Sequence, residues 1–272
     1  MILEEARYWE SIADEWKKIR PDRLWRKHSD AINQSLLFRW LPEQPVPRLL
    51  KTDTFDEAVG DGLTRFLQAR AHSVVGIDLS FKNVQLACHG ERSVHGTRAD
   101  VRNLPFRRES FDVVVSNSTL DHFQTLDEIT VSLRELHRVL RKGGQLIVTL
   151  DNLANPTIAV RNHLPINLLN RLGIVPYFVG ATCGPRRLQR LLRDVGFEVR
   201  DVAAVLHCPR IIAVAVAKLL CSRAKPSVQQ QFLRLLQKCE VMSRWPTRYL
   251  TGHFIAVRAE KSQCHPGGTP DE

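Results

Sequence analysis

The sequence lacks the cysteine pairs that would indicate a metal-bound or disulfide-stabilised protein. Its six cysteines are scattered through 272 residues, and no two of them form a C-x-x-C pair. That spacing argues against a zinc site and against a disulfide framework. We therefore expect reduced thiols, no metal ion and a cytoplasmic location.

The sequence also lacks an apolar run long enough to span a bilayer. The most apolar segment, residues 211–221, is interrupted by Lys218 and is shorter than the roughly 20 residues that a spanning helix needs. The N-terminal segment carries Glu4 and Glu5 where a signal peptide has basic residues. We expect a soluble protein that is at most peripheral to a membrane.

Acidic residues are too few to balance the basic ones. The chain has 39 lysines and arginines against 29 aspartates and glutamates, a net charge of +10. Six of the basic residues crowd residues 17–27, close to Trp16 and Trp25. Such a segment can serve RNA or an anionic membrane surface. It also suits a solvated helix face with both tryptophans in the core, which we favour, so a nucleic-acid partner is not expected.

The hydrophobic pattern divides the chain into three parts. Residues 1–47 predict a helical cover made of two helices. Residues 48–260 alternate strands and helices, with an apolar insertion at about 156–183. Residues 261–272 predict a disordered tail.

The middle part predicts an α/β fold. Seven strands are predicted, at residues 48–54, 73–77, 93–99, 111–116, 145–150, 197–205 and 249–258. Helices are predicted between them, at residues 62–71, 80–88, 126–140 and 185–195, with a further helical stretch up to about 240. This alternation predicts a parallel sheet with helices on both faces.

A glycine loop follows the first predicted strand. Gly60 and Gly62 precede a helix, which lets the backbone approach a ligand closely. Arg65 stands where a dinucleotide site would need a third glycine. Three carboxylates in the loop, Asp56, Glu57 and Asp61, would repel a pyrophosphate, so NAD and FAD are disfavoured and a positively charged ligand is favoured.

Two more acids end the next predicted strands. Asp78 closes the second strand, where a carboxylate is placed to accept both hydroxyls of a ribose. Asp100 ends the third strand, where it can accept a hydrogen bond from an adenine amino group. Acids at three consecutive strand ends on one edge of a sheet predict a nucleoside cofactor.

These segments together resemble the class I S-adenosylmethionine-dependent methyltransferases, in particular the type 11 domain of small-molecule enzymes. The glycine loop is similar to the family's first motif and residues 74–80 to its acidic second strand. Residues 99–106 resemble the adenine-contacting turn, and residues 110–117 and 138–148 resemble the fourth strand and the joint into the fifth. The likeness covers residues 50–150.

The resemblance implies a Rossmann-like sheet of seven strands, mostly parallel with an antiparallel last strand and with helices on both faces. It implies S-adenosyl-L-methionine as cofactor and S-adenosyl-L-homocysteine as product. The cofactor contacts that it implies are Asp56, Glu57, Ala58, Gly60, Gly62, Asp78, Leu79, Asp100, Val101, Ser116 and Asn117. Glu57 and Ala58 depart from the family pattern, which has an apolar residue and a glycine there.

The residues expected to act on the acceptor follow the fourth and fifth strands. A hydroxyl nucleophile needs a base, and His122, with Asp121 beside it in sequence, is the candidate; a role in supporting the fold is the alternative. Asp151 and Asn152 can bind a polar substrate or cap the following turn. Tyr8, in a helix that resembles the family's opening helix, and Tyr177, in the apolar insertion, complete the predicted substrate contacts.

The function predicted is methyl transfer to a small molecule, with oxygen as the favoured nucleophile and an apolar acceptor compatible with the insertion. One alternative is carbon methylation of a quinone or lipid at a membrane surface, which would suit the charge of +10. The other is a non-catalytic cofactor-binding protein of the same fold, suggested by Glu57 and Ala58. Residues 116–119 read Ser-Asn-Ser-Thr rather than the Asn/Asp-Pro-Pro-Tyr of amino methyltransferases, which disfavours RNA and protein substrates.

Overall fold

A computed structural model describes residues 2–19, 23–60, 62–88, 95–165, 169, 171, 175 and 178–263. The helices are α1 (Ile2–Ile19), α2 (Arg23–Trp40), α3 (Phe55–Val59), α4 (Thr64–Gln68), α5 (Phe81–Cys88), α6 (Leu126–Val139), α7 (Pro156–His163), α8 (Pro185–Val195), α9 (Arg210–Arg223), α10 (Pro226–Lys238) and α11 (Arg248–Thr251). Two short 3-10 turns cover Leu120–His122 and Cys239–Arg244. The strands are β1 (Val46–Lys51), β2 (Ala71–Asp78), β3 (His95–Arg98), β4 (Phe111–Asn117), β5 (Leu140–Asp151), β6 (Phe197–Val205) and β7 (Phe254–Lys261).

The seven strands form one sheet in the order β3-β2-β1-β4-β5-β7-β6. The pairs among β1 to β5 are parallel, whereas β7 runs antiparallel to both β5 and β6. The predicted fold class is confirmed. In chain order, β1, β2 and β3 extend the sheet in one direction, and β4 then pairs with the opposite edge of β1. In open α/β sheets, ligands bind at the carboxyl ends of the strands where the direction of building reverses.

The core lies on both faces of this sheet. Consecutive side chains of a strand point to opposite faces, so Leu49 packs in one apolar cluster and Leu50 in the other. Val113 and Val114 divide in the same way, as expected for a strand buried on both sides. Helix α6 begins at a capping box in which Thr125 and Glu128 satisfy each other's backbone N–H groups.

Several predicted boundaries differ from the structure. The first strand ends at Lys51 rather than at residue 54, and residues 55–59 form a helix rather than a loop. The fifth strand begins at Leu140, which pairs with Phe111 before a register shift. Residues 248–251 are helical, and the last strand starts at Phe254 and extends to Lys261, which pairs with Phe197. Sheet pairing extended the fifth and the last strand beyond the ends that local residue preferences had predicted.

Among the described residues, no helix combines the length and the apolar character required to cross a membrane.

Candidate active site

A cavity of about 1580 Å³ lies at the carboxyl edge of the sheet. Its walls come from α1, α2, the ends of β1, β2 and β4, helix α7 and the helices that follow β6. Pockets for a single small ligand measure about 300–1,000 Å³. The cavity therefore has room for a cofactor and a second molecule beside it.

The end of β1 contributes the polar wall at the point where the sheet reverses. Thr52, Asp53, Phe55 and Asp56 line the cavity. The hydroxyl of Thr119, which follows β4, donates a hydrogen bond of 3.1 Å to the carboxylate of Asp53. This hydrogen bond thus joins the loops that follow β1 and β4, the two strands between which the strand order changes direction.

The predicted glycine loop lies behind this wall. Gly62 has a φ of +57°, and a Cβ atom there would come within 2.5 Å of the Glu57 carboxylate. That carboxylate accepts a hydrogen bond from the N–H of Leu63 at 2.9 Å and pairs with the buried ammonium of Lys51 at 2.9 Å. Glu57, Ala58, Gly60 and Gly62 do not line the cavity. They form a turn behind the residues that line the cavity.

Three carboxylates, Asp30, Asp53 and Asp56, face the same part of the cavity. Burial, reinforced by the charges of neighbouring acids, raises the pKa of Asp30 and that of Asp53 to about 7. Arg26 pairs with Asp56 at 2.6 Å and Lys51 lies 3.3 Å from Asp53, so two cations face these three carboxylates and Glu57. This arrangement favours a ligand that carries positive charge.

Asp78 lies in the cavity wall at the end of β2, as predicted. Its carboxylate accepts hydrogen bonds from the backbone N–H and hydroxyl of Thr54, from the N–H of Ser80 and from the amide of Asn83. Burial raises the pKa of Asp78, and these donors act in the opposite direction by stabilising its charge. The carboxylate is therefore fixed in position at the cavity.

Asp100 and Val101 line the cavity beside Leu79. The guanidinium of Arg102 holds the Asp100 carboxylate with contacts of 2.7–3.0 Å. It also donates to Glu128 of α6 at 2.6 Å and to Glu5 of α1 at 2.7 Å. One arginine thus ties the N-terminal helix to the wall of the site.

His122 lines the cavity under the N-terminal helix. Its ring meets Trp9 edge to face, with the ring centroids 4.7 Å apart. The hydroxyl of Tyr8, also in the wall, accepts a hydrogen bond of 2.6 Å from the N–H of Phe178. Asp121 does not line the cavity: it is buried and accepts hydrogen bonds from the Ser118 hydroxyl and the Asp151 N–H. Asp121 therefore supports the ends of β4 and β5.

The remaining predicted site residues divide between wall and scaffold. Asn117 lines the cavity, whereas Ser116 is buried behind it and accepts a hydrogen bond from Thr52. Asn152 is buried and donates to the carbonyl oxygens of Tyr249 and Gly252. Tyr177 lies outside the described residues.

Asp151 belongs to a charged cluster beside the part of the cavity that α7 and α9 line. It is buried and pairs with Arg161 at 2.7 Å. Nε2 of His253 lies 2.7 Å from Nη1 of Arg210 and therefore accepts its hydrogen. Burial and the charge of Arg210 hold the pKa of His253 below its usual range. The cluster thus has two arginines and one carboxylate, and both arginines line the cavity.

Sequence reasoning missed several residues of the wall. Asp53 directly follows β1, and the rule that ligands bind at the carboxyl ends of parallel strands would have found it had the strand been ended at Lys51. Asp30, Arg161 and Arg210 lie on helices, where nothing in the local pattern marks them as facing a cavity.

Comparison with known proteins supports the domain and the fold. Residues 56–148 match the family model described as a methyltransferase domain. Probable tRNA methyltransferase 9B from Homo sapiens is 33% identical over 91 residues, which cover 33% of this chain and 20% of that protein. Malonyl-[acyl-carrier protein] O-methyltransferase from Enterobacter lignolyticus is 30% identical over 129 residues, which cover 47% of this chain and 46% of that protein. The matches therefore span from a fifth to just under half of these curated relatives.

A solved structure extends the fold comparison over most of the chain. The S-adenosylmethionine-dependent methyltransferase from Mesorhizobium loti superposes with a TM-score of 0.56 at 18% identity, covering 86% of this chain and all of that one. The resemblance drawn from the sequence is confirmed at the level of domain and fold.

Proposed function

Starting from a chain that carries a methyltransferase domain on the class I fold, we propose that it binds S-adenosylmethionine and transfers the methyl group to a small molecule. The observation that carries this proposal is the row of carboxylates, from Asp53 to Asp78 and Asp100, along one wall of a cavity large enough for two ligands. The cavity lies where the building direction of the sheet reverses, which is the expected place for a nucleoside.

We assign different residues of the cavity wall to the different parts of the cofactor. Asp78 is held where it can accept the ribose hydroxyls, and Asp100 and Val101 lie beside it for the adenine. Asp30, Asp53 and Asp56 provide negative charge for the ammonium and sulfonium groups. A pyrophosphate-bearing cofactor would meet the same carboxylates and be repelled.

The protein's own residues would orient the reactants and manage the proton. S-adenosylmethionine supplies an electrophilic methyl group on a positively charged sulfur. Because that charge is dispersed as the methyl group is transferred, a cavity covered by α1 can exclude water at little cost, and alignment of the reacting atoms supplies most of the rate. We assign His122 as the base that accepts the proton of an acceptor hydroxyl.

The part of the cavity that α7 and α9 line suits an acceptor with an apolar body and an oxygen-containing group. Ile158, Val175 and Ile212 line it together with Arg161 and Arg210. The arginines can orient a hydroxyl, a carboxylate or another oxygen-rich group. Carbon methylation of a quinone or lipid is the second candidate, favoured by the apolar part of the same wall.

Two experiments test the proposal in sequence. Calorimetry with S-adenosylmethionine should detect binding by the wild type, weakened about tenfold or more by Asp78→Ala. The matched control is Asp201→Ala, because Asp201 pairs with Arg258 in the sheet and does not line the cavity. Absence of binding by the wild type would refute the proposal.

Transfer of labelled methyl into fractionated extract then identifies the acceptor. We expect label in small molecules or lipids. Label in RNA would instead align the chain with its tRNA methyltransferase relative. Cofactor binding with no labelled fraction would support the non-catalytic alternative.

A further inference from the structure

The segment between β6 and β7 has an unusual charge. Residues 206–252 contain eight lysines and arginines and one acid, a net charge of +7 out of +10 for the whole chain. The segment forms α9, α10, the turn Cys239–Arg244 and α11; each of these elements packs against the next, and α9 and α10 also pack against α2. Most of the net positive charge of the protein is thus found in this helical layer.

The same layer exposes apolar side chains. Eight of the fifteen large apolar side chains that are exposed in the described part of the chain lie here: Ile211, Ile212, Leu219, Val228, Leu235, Val241, Trp245 and Leu250. Apolar groups clustered among basic ones, with few acids, are typical of surfaces that lie on anionic lipid.

Helix α9 carries the clearest part of this surface. Ile211, Ile212, Ala215, Lys218 and Leu219 are exposed and fall within an arc of about 120° on a helix of 3.6 residues per turn. Ala213 and Ala217, on the opposite side, are buried against the rest of the protein. The helix therefore turns its larger apolar groups outwards.

The cavity opens on this surface. Ile211 and Ile212 are 57% and 65% exposed, yet both line the cavity, as do Lys218 and the exposed Leu250. Side chains that are both exposed and part of the cavity wall mark its mouth. A molecule that enters here passes the apolar stripe of α9 before it reaches Arg210 and the interior.

We infer that the surface formed by α9 and Leu250, with the basic residues of the following helices, docks on an anionic lipid bilayer and that the apolar acceptor enters the cavity from that bilayer. The occupant is assigned by charge complementarity, since the six exposed basic residues of this layer match anionic headgroups while its isoleucines and leucines reach the interface below them. The docking surface lies outside the apolar insertion at 156–183. The route of the acceptor rests on the proposed methyl transfer, whereas the docking does not.

The test is co-sedimentation of the full chain with lipid vesicles. Vesicles of phosphatidylcholine with about a third phosphatidylglycerol should bind the protein, vesicles of phosphatidylcholine alone should bind it weakly, and high salt should release it. Ile211→Ser with Ile212→Ser should lower the partition coefficient about tenfold. Arg223→Glu with Lys225→Glu should remove the preference for anionic vesicles, because both residues are exposed in this layer.

Two controls separate docking from misfolding and from self-association. Val131→Ser changes an exposed apolar residue of α6, outside the layer, and should bind vesicles like the wild type. All variants should keep the wild-type melting temperature. Equal binding by the double serine variant, or a dimer in light scattering that this variant breaks into monomers, would overturn the inference.

Failure of the proposed methyl transfer can be distinguished from failure of the proposed membrane docking. The vesicle measurement contains no S-adenosylmethionine, so a chain that binds vesicles but not the cofactor keeps the docking and loses the methyl transfer. A chain that binds the cofactor and stays in solution with anionic vesicles loses the docking alone.

Discussion

Nδ1 of His122 lies 3.0 Å from the carbonyl oxygen of Phe178. A carbonyl oxygen can only accept, so Nδ1 carries the hydrogen and the neutral ring has its lone pair on Nε2. A backbone group far away in sequence thereby selects the tautomer of the residue that we assign as the base.

Replacing His122 separates a base from a structural support. Both His122→Ala and His122→Asn should lower kcat about 10²- to 10⁴-fold, with the affinity for S-adenosylmethionine retained. Asparagine can still donate to the Phe178 carbonyl but cannot accept a proton from the acceptor. Turnover of the asparagine variant near that of the wild type would limit His122 to positioning. The measurement is the pH profile of kcat with the acceptor found by labelled transfer.

The acids around Asp53 predict that cofactor affinity depends on pH. Burial raises the pKa of Asp53 to about 7, so below that pH the carboxyl is largely protonated and a cationic ligand must displace the proton. Affinity should rise with pH, by roughly eightfold between pH 6 and pH 7.5 for one such group. Calorimetry in two buffers of different ionisation enthalpy should detect the released proton. The affinity of Asp53→Asn for the cofactor should depend less steeply on pH. An unchanged pH dependence in this variant would show that another group binds the proton.

The buried pair of Lys51 and Glu57 predicts a large cost for removing one partner. Lys51→Met leaves the Glu57 carboxylate buried with a single backbone donor and removes the ammonium 3.3 Å from the Asp53 carboxylate, so the free energy of unfolding should fall by about 3–5 kcal/mol. Adding Glu57→Gln removes the uncompensated charge and should restore part of the loss. Urea unfolding measures the stability of both variants. If the double variant is as unstable as Lys51→Met, the loss of stability comes from altered packing rather than from the unpaired charge.

The exposed pair of Lys82 and Asp14 provides the matched control for that comparison. The side chains are 42% and 43% exposed, so solvent screens the pair. Lys82→Met should therefore change the free energy of unfolding by less than about 1 kcal/mol.

The hydrogen bond between the Tyr8 hydroxyl and the Phe178 N–H should help to hold helix α1 over the cavity. Tyr8→Phe removes that acceptor, which is worth about 0.5–1.5 kcal/mol. The amide of Phe178 should exchange with solvent several-fold faster, and bound S-adenosylmethionine should dissociate faster. Tyr249→Phe is the control, because Tyr249 does not line the cavity. Equal exchange in Tyr8→Phe and wild type would show that other contacts hold the cover.

Much of the sheet could be predicted because it follows from local patterns. The run Val113-Val114-Val115 predicts a strand buried on both faces, and these residues lie in opposite clusters as expected. Asp78 could be placed at the cavity because it ends a β-branched strand, and the carboxyl ends of parallel strands share one edge. These inferences need only the periodicity of the chain and the rules of strand connection.

The interpretation of the glycine loop shows where such inference stops. The carboxylates and glycines of residues 56–62 were expected to face the ligand together, but a short helix turns Glu57 inwards to Lys51, while Asp53 and Asp56 face the cavity. Which acid faces inwards depends on the position of one buried ammonium, and that position is a property of the packed protein.

The order of hydrophobic and polar residues therefore determines the strands, their edge and the carboxylate of Asp78, because each depends on neighbours a few positions away. The raised pKa values of Asp30 and Asp53, the tautomer of His122 and the pairing of Asp151 with Arg161 arise when the segments of the chain pack together. Burial and charge proximity set the chemistry of those groups, and both exist only after the helices have closed over the sheet.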